Sequence, residues 1–282
     1  MKNEARFEHI TARSGETVTM LSKLKDAKYR RETGLYLAEG VKLAEEALGK
    51  RQVAYALLSE DAYAAGGKPL ALAEAAGEYG ARLVVLSSGA FEKVSTEMAP
   101  QGLVFVLRTD DPAHESVAAG GEADAAARYR GERLLMLSDV RDPGNLGTVL
   151  RSASAFGIDR VILSGCADLF SPKTVRASMG ALFRLQTATV EEPTALIRAL
   201  RASGRRVLAT ALGEHSLTLG SSELRPDDIP VIGNEGHGLS PEVIGAADQA
   251  LLIPMAPGTE SLNAGVAASL VLWEYFRTSF EK

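Results

Sequence analysis

Apolar residues along this chain fall into two regimes. In the first third, short apolar runs alternate with stretches of helical spacing: Val18, Leu21 and Leu24 share one helix face, followed by LYLA, VKLAEEALGK, VAYALLS, RLVVLS and GLVFVLR, the last ending at Arg108. Strand-length runs interleaved with three- and four-residue periodicity predict a small α/β domain. From Leu134 onward the runs lose their alternation: LLMLSDV (134–140), RVILS (160–164), RVLATAL (206–212), IPVIG (229–233) and ALLIP (250–254), separated by helical patterns such as NLGTVLRSASAFG and PTALIRALRASG. Strands apolar on both faces, with helices between them, predict a second α/β domain built on a mostly parallel sheet. The segment between the two halves, TDDPAHESVAAGGEADAAA (109–127), shows no apolar periodicity. It reads as a linker over 109–131, so the chain divides into 1–108, expected to fold on its own, and 132–282.

The last helical pattern, VAASLVLWEYF, is apolar around most of its circumference. Val266, Leu270, Trp273 and Phe276 define one face, which Val271, Leu272 and Tyr275 extend. A helix of this kind needs cover on nearly every side, whereas one sheet covers one face. The pattern therefore predicts a second cover over the face that the sheet leaves open.

Composition narrows the class. With 46% hydrophobic and 24% charged residues, 27 Gly and 11 Pro in 282, the chain is neither disordered nor collagen-like. The single cysteine, Cys166, has no partner for an internal disulfide, and the four histidines lack CxxC or HxxxH spacing, so no metal site is expected. The N-terminus is charged throughout and no apolar stretch has spanning length, which predicts a cytoplasmic protein without a membrane segment.

The net charge of −5 is concentrated in one place. Asp110, Asp111, Glu115, Glu122 and Asp124 lie in the 109–127 segment with no Lys or Arg, and subtracting those five from 36 acidic residues leaves 31 against 31 basic ones. Near the N-terminus, KLKDAKYRR carries Lys23, Lys25, Lys28, Arg30 and Arg31 against Asp26 alone. Such a stripe is either a solvated helix face or a surface for RNA.

Neither GxGxxG nor GxxxxGK[ST] occurs, which argues against dinucleotide-binding and P-loop enzymes. Three other junctions follow strand-like runs, where open α/β sheets build their sites. In SDVRDPGNLGTVLR, Asn145 is placed to cap a helix that carries Arg151 nearly two turns on. In IPVIGNEGHGL, three glycines within six residues surround Asn234 and Glu235 and permit close backbone approach. In IPMAPGTESLNAG, Ser261 and Asn263 open the last helix, with Ser261 the plain N-cap reading. His237 reads as an unengaged loop histidine. Each junction alone has an ordinary structural explanation as a cap, a turn or a solvated arginine.

Taken together and in this order, Asn145, Gly147 and Arg151 as NxGxxxR, Asn234–Leu239 as NEGxGL, Ile253–Met255 as IPM and Ser261–Asn263 as SLN resemble the SpoU, or TrmH-like, branch of the SPOUT RNA methyltransferases across residues 133–282. Residues 20–108 resemble the substrate-binding domain that many members carry, similar to a ribosomal-protein L30e-like fold. One departure is AGVAAS after SLN, where members more often have VSVA.

The resemblance implies S-adenosyl-L-methionine as methyl donor and a ribose 2′-hydroxyl of RNA as acceptor. It also implies a homodimer and a trefoil-knotted C-terminal domain, which general rules of chain topology would not propose. Gly233, Ile253 and Leu262, with Thr210 and Met255, are the implied cofactor contacts. The implied catalytic set is Arg151, Asn145, Glu235, Ser261 and Asn263. A guanidinium keeps its proton, so Arg151 is expected to anchor phosphate and stabilise charge, held by a charge-assisted bond from Glu235. Asn145 and Asn263 are expected to orient the ribose, and Ser261 to bind the hydroxyl or the neighbouring phosphate. The implied RNA contacts are Lys23, Lys25, Lys28, Arg30 and Arg31. Ribosomal RNA is favoured over transfer RNA by the type of N-terminal domain and by the missing basic C-terminal tail. The competing classes are a non-catalytic RNA-binding factor on the same frame, against which the five catalytic candidates speak together, and a small-molecule α/β enzyme.

Overall fold

The computed structural model describes residues 7–109, 114–212, 216–220, 224–225, 227–258 and 261–278. The chain forms two units. The first contains β1 (Phe7–Ile10), α1 (Glu16–Ser22), α2 (Ala27–Thr33), β2 (Leu35–Glu39), α3 (Val41–Ala47), β3 (Val53–Ser59), α4 (Glu60–Ala65), α5 (Gly67–Glu78), β4 (Arg82–Leu86), α6 (Ser88–Val94) and β5 (Leu103–Arg108). Its sheet has the order β1-β4-β3-β5-β2, with β1, β4 and β3 parallel and β5 antiparallel to both β3 and β2. Val18, Leu21 and Leu24 are fully buried against this sheet with Leu57, Val84 and Val106, as their spacing predicts. Asp26 caps α2 by accepting from the Lys28 N–H at 2.8 Å.

The second unit begins earlier than the sequence suggests. Residues read as linker form β6 (His114–Val117) and α7 (Glu122–Arg128), followed by β7 (Leu134–Ser138), α8 (Pro143–Ala155) and β8 (Arg160–Ser164). β6 pairs in parallel along β9 (Gln186–Val190), so the linker expected over 109–131 is corrected: its residues 114–131 belong to the fold of the second unit, with β6 at the sheet's edge. Asp110 and Asp111 lie outside the described residues. The segment escaped notice because its apolar groups are small. α7 buries Ala125 and Ala126 rather than leucines, and Tyr129 is buried beside them. The Tyr129 hydroxyl donates to Glu115, and Arg160 holds Glu132 through Nε at 2.7 Å.

After β8 the chain leaves the second unit. Asp168–Phe183, with α9 (Pro172–Ala177), packs within the first. The Arg30 guanidinium, buried, donates to Asp168 through Nε at 3.0 Å and Nη2 at 2.5 Å, and through Nη1 to the carbonyls of Leu24 and Lys25. Phe170 stacks on Tyr36 at 4.7 Å, and Arg51 donates to the Leu182 carbonyl. The expectation that 1–108 fold alone is therefore corrected: this segment completes their core. The segment also buries Leu169, Val175, Leu182 and Phe183, spaced too irregularly to show as a helix or strand period in the sequence.

The chain then supplies α10 (Pro193–Ala202), β10 (Val207–Thr210), β11 (Leu217–Thr218), β12 (Ile229–Ile232), α11 (Pro241–Ala246), β13 (Gln249–Leu252) and α12 (Ala264–Thr278). The sheet order is β11-β13-β10-β12-β7-β8-β9-β6, and every pairing among the described residues is parallel. β7 and β12 are buried along their whole length, the reason their sequences show no alternation. α12 packs on α8, where a Cβ at Gly265 would come within 3.2 Å of the Thr148 methyl. The small residues of AGVAAS let the two helices meet closely. α12 buries Ala268, Val271, Leu272 and Tyr275, while Val266, Leu270 and Trp273 remain 49%, 41% and 48% exposed. Among the described residues, no helix is long and apolar enough to cross a membrane.

Candidate active site

β13, β10, β12 and β7 are consecutive in the sheet, and all three sequence junctions leave their C-terminal ends. Parallel strands running the same way deliver their following loops to one edge, which is why motifs about a hundred residues apart in sequence meet there.

The loop after β12 is the most constrained. A Cβ on Gly233 would lie 2.5 Å from the carbonyl carbon of Gly238 and 2.6 Å from the Leu239 nitrogen, so only glycine fits. Asn234 and Gly238 exchange backbone hydrogen bonds at 3.0 and 3.1 Å, closing the turn. Asn234 Oδ1 accepts from the Gly236 and His237 N–H groups, and its Nδ2 donates to the Asp139 carbonyl at 2.8 Å, tying the turn to the end of β7. Asp139 has φ of 58° and pairs with Arg141 at 2.9 Å.

α8 begins with Pro143, and Asp142 is its N-cap, accepting from the Asn145 N–H at 2.9 Å. The cap expected at Asn145 is thus corrected: Asp142 does that work, which releases the Asn145 side chain. Its Nδ2 donates to Glu235 Oε1 at 2.9 Å, and its Oδ1 accepts from Asn263 Nδ2 at 2.9 Å. Asn263 in turn accepts from the N–H groups of Gly265 and Val266, so Asn263, not Ser261, caps α12. Three of the five catalytic candidates therefore form one row, Glu235–Asn145–Asn263, anchored at a helix start.

Arg151 stands apart from this row, exposed further along α8. The bond expected between it and Glu235 is replaced by that from Asn145. Ser261 is exposed and lines the neighbouring cleft.

That cleft, about 420 Å³, opens beside the row and is lined by all five cofactor candidates, Thr210, Gly233, Ile253, Met255 and Leu262. The Thr210 hydroxyl donates to the Val231 carbonyl, bracing β10 against β12. Cys166, whose neighbours include the Asp139 and Glu235 charges, is pushed up to about 11 chiefly by burial, so it is an inert thiol. Of the basic stripe, Lys23, Lys25, Lys28 and Arg31 are exposed. Arg30 is corrected: it is buried and bound to Asp168, so it holds the fold together and cannot meet RNA. Partial burial lowers the Lys25 ammonium, partly offset by the Glu39 charge.

Sequence reasoning missed Asp139, the backbone anchor for Asn234, and the cap at Asp142. Asp142 before Pro143 was a legible signal, since proline is favoured at the first helical position after such a cap.

A family model described as the SpoU rRNA Methylase family matches residues 132–273, half of the chain. The chain belongs to the SpoU rRNA methylase family. A second model, the MRM3-like substrate binding domain, matches residues 16–104 of this SpoU methylase. The chain is 31% identical to the Bacillus subtilis 23S rRNA (guanosine(2553)-2′-O)-methyltransferase RlmP, over 95% of its own length and 98% of that protein. It is 28% identical to the mitochondrial rRNA methyltransferase 3 of Xenopus tropicalis, over 96% and 76% of the two chains. Among solved structures, the AdoMet-bound rRNA methyltransferase from Sinorhizobium meliloti matches with a TM-score of 0.79 at 28% identity, covering 97% of this SpoU methylase and 98% of that chain.

Proposed function

We propose that this chain methylates a ribose 2′-hydroxyl in ribosomal RNA, with S-adenosyl-L-methionine as donor, as a cytoplasmic homodimer with a knotted second unit. The observation that carries the reading is the Glu235–Asn145–Asn263 row at the edge of the cleft.

The cleft fits the donor. Its volume lies in the range of small-molecule sites, its walls at Leu212, Ile232, Ile253 and Leu262 are apolar, and the Gly233–Gly238 contact brings bare backbone to its floor. Such walls suit a flat adenine, and exposed main-chain groups suit its polar edge. When bound, S-adenosyl-L-methionine supplies a methyl on an electrophilic sulfonium.

The chain's own task is to aim a ribose oxygen. Both polar atoms of the Asn145 amide are engaged, so the Glu235 carboxylate is held in one orientation through Oε1. Its second oxygen would accept a hydrogen bond from the 2′-hydroxyl, whose proton leaves to that carboxylate or to water as the methyl is transferred. Positioning of this kind supplies several kcal/mol of a transfer barrier. Ser261, on the cleft wall, binds the hydroxyl or an adjoining phosphate.

Arg151, exposed on α8 and outside the hydrogen bonds of its own row, would serve as phosphate anchor and charge stabiliser in the cleft of a second copy. The apolar face of Val266, Leu270 and Trp273, continued by Phe156 at 5.9 Å from Trp273, is where that copy would sit. Lys23, Lys25, Lys28 and Arg31 would meet RNA phosphates, as expected for a salt-dependent contact. Mapping ribose methylations in ribosomal and transfer RNA from cells with and without the gene tests the proposal. Loss of a ribosomal 2′-O-methyl supports it, and unchanged ribose methylation in both RNAs refutes it.

A further inference from the structure

The walls of the cleft carry few groups that can hold charge. Among its described lining residues only Glu235 and His237 are ionisable, with no lysine or arginine among them. Glu235 is committed through Oε1 to Asn145. His237 differs: its backbone N–H is fixed by Asn234 Oδ1 at 3.3 Å inside the closed turn, while its side chain is exposed and without a bonding partner among the described residues. The turn therefore fixes the His237 backbone, and its imidazole belongs to a cleft-lining residue with no bonding partner among the described residues.

The proposed donor presents a matching need. It carries an adenosine at one end, a cationic sulfonium in the middle, and an amino acid whose α-amino group is positive and whose carboxylate is negative. The apolar wall takes the adenine, and Glu235 favours the positive groups. Among the described lining residues, the carboxylate is left with backbone amides, the Ser261 hydroxyl, which the proposed function gives to the ribose or its phosphate, and the His237 imidazole. Resting on the methyltransferase reading, we propose that His237 binds the carboxylate of the donor's amino-acid end, and so distinguishes the whole donor from its adenosine half.

The other described walls do not compete. The residues that β10 and its following loop contribute, Thr210–Leu212, are uncharged, as is Ser261 before α12. Beneath the turn, Asp139 and Arg141 are paired with each other. A charge-assisted hydrogen bond at an open site is strong enough to read as affinity.

The test is calorimetry on the full chain with two ligands, S-adenosylhomocysteine, which keeps the amino-acid end, and 5′-methylthioadenosine, which lacks it. His237→Ala is expected to weaken S-adenosylhomocysteine about five- to tenfold and to leave methylthioadenosine within about twofold of wild type. His237→Lys should restore most of the loss. Equal losses on both ligands, or no loss on either, would overturn the assignment. A loss confined to RNA affinity would also overturn it, giving His237 to an RNA phosphate instead. If wild type binds neither ligand, the methyltransferase reading fails and takes this inference with it; wild-type binding with a wrong variant pattern defeats only the inference.

Discussion

Removing the Arg30 side chain separates a fold-holding role from an RNA-binding one. Its guanidinium is 5% exposed and reaches Asp168, 31% exposed, at 2.5 Å, while Nη1 serves the Leu24 and Lys25 carbonyls at 2.7 and 2.8 Å. Arg30→Ala leaves a half-buried carboxylate unpaired and two carbonyls without donors. Breaking a buried pair from one side costs about 3 to 5 kcal/mol, and water access at Asp168 puts this case near about 3. With a urea dependence of about 2 kcal/mol per molar, the midpoint of the first unit should fall by roughly 1.5 M. Far-UV circular dichroism reads that transition, and fluorescence of the only tryptophan, Trp273, reports the second unit separately. In the absence of urea, RNA affinity should be nearly unchanged, because Lys23, Lys25, Lys28 and Arg31 remain exposed. A midpoint within about 0.3 M of wild type, combined with weakened RNA binding, would refute the reasoning and return Arg30 to the RNA surface.

Gly233→Ala forces its new methyl into the Gly238–Leu239 backbone, so the turn must open; calorimetry should show cofactor affinity at least about tenfold weaker, with a stability loss of about 1 to 3 kcal/mol in a thermal melt. Arg151→Ala should slow methyl transfer by about 10²-fold with cofactor affinity intact, and mixing it with the Gly233→Ala chain should recover activity, because heterodimers then hold one complete site. Wild type should sediment as the proposed dimer at micromolar concentration, and Trp273→Glu, which places a charge on the exposed apolar face of α12, should sediment as monomer.

Much of this architecture was legible because burial leaves a period in the sequence. The Val18–Leu21–Leu24 face carries that period, β7 and β12 read instead as unbroken apolar runs, and all three appear where their patterns place them. β6 and α7 were hidden, since an edge strand reading HESV and a helix that buries alanines produce no apolar contrast. Asp168–Phe183 was hidden for a different reason. Its attachment to the first unit rests on pairings such as Arg30 with Asp168 and Tyr36 with Phe170, more than a hundred residues apart, which no local pattern encodes. At the site, residue types were readable and their pairings were not. Asn145, Glu235 and Asn263 stood out, yet no local pattern encodes that Glu235 bonds to Asn145 instead of Arg151, because that follows from which residue acts as the helix cap.

The most direct measurement follows the methyl itself. Purified protein, S-adenosylmethionine with a radiolabelled methyl, and unmodified ribosomal RNA should give label that survives alkaline hydrolysis in dinucleotides, since a 2′-O-methyl removes the hydroxyl that alkali uses to cleave the adjoining phosphate. Asn145→Ala, which dissolves the Glu235–Asn145–Asn263 row, should reduce that label by about 10²-fold while cofactor binding persists. Label released as mononucleotides would place the methyl on a base, and undiminished transfer by Asn145→Ala would show that the row does not aim the ribose; either result contradicts the proposed chemistry.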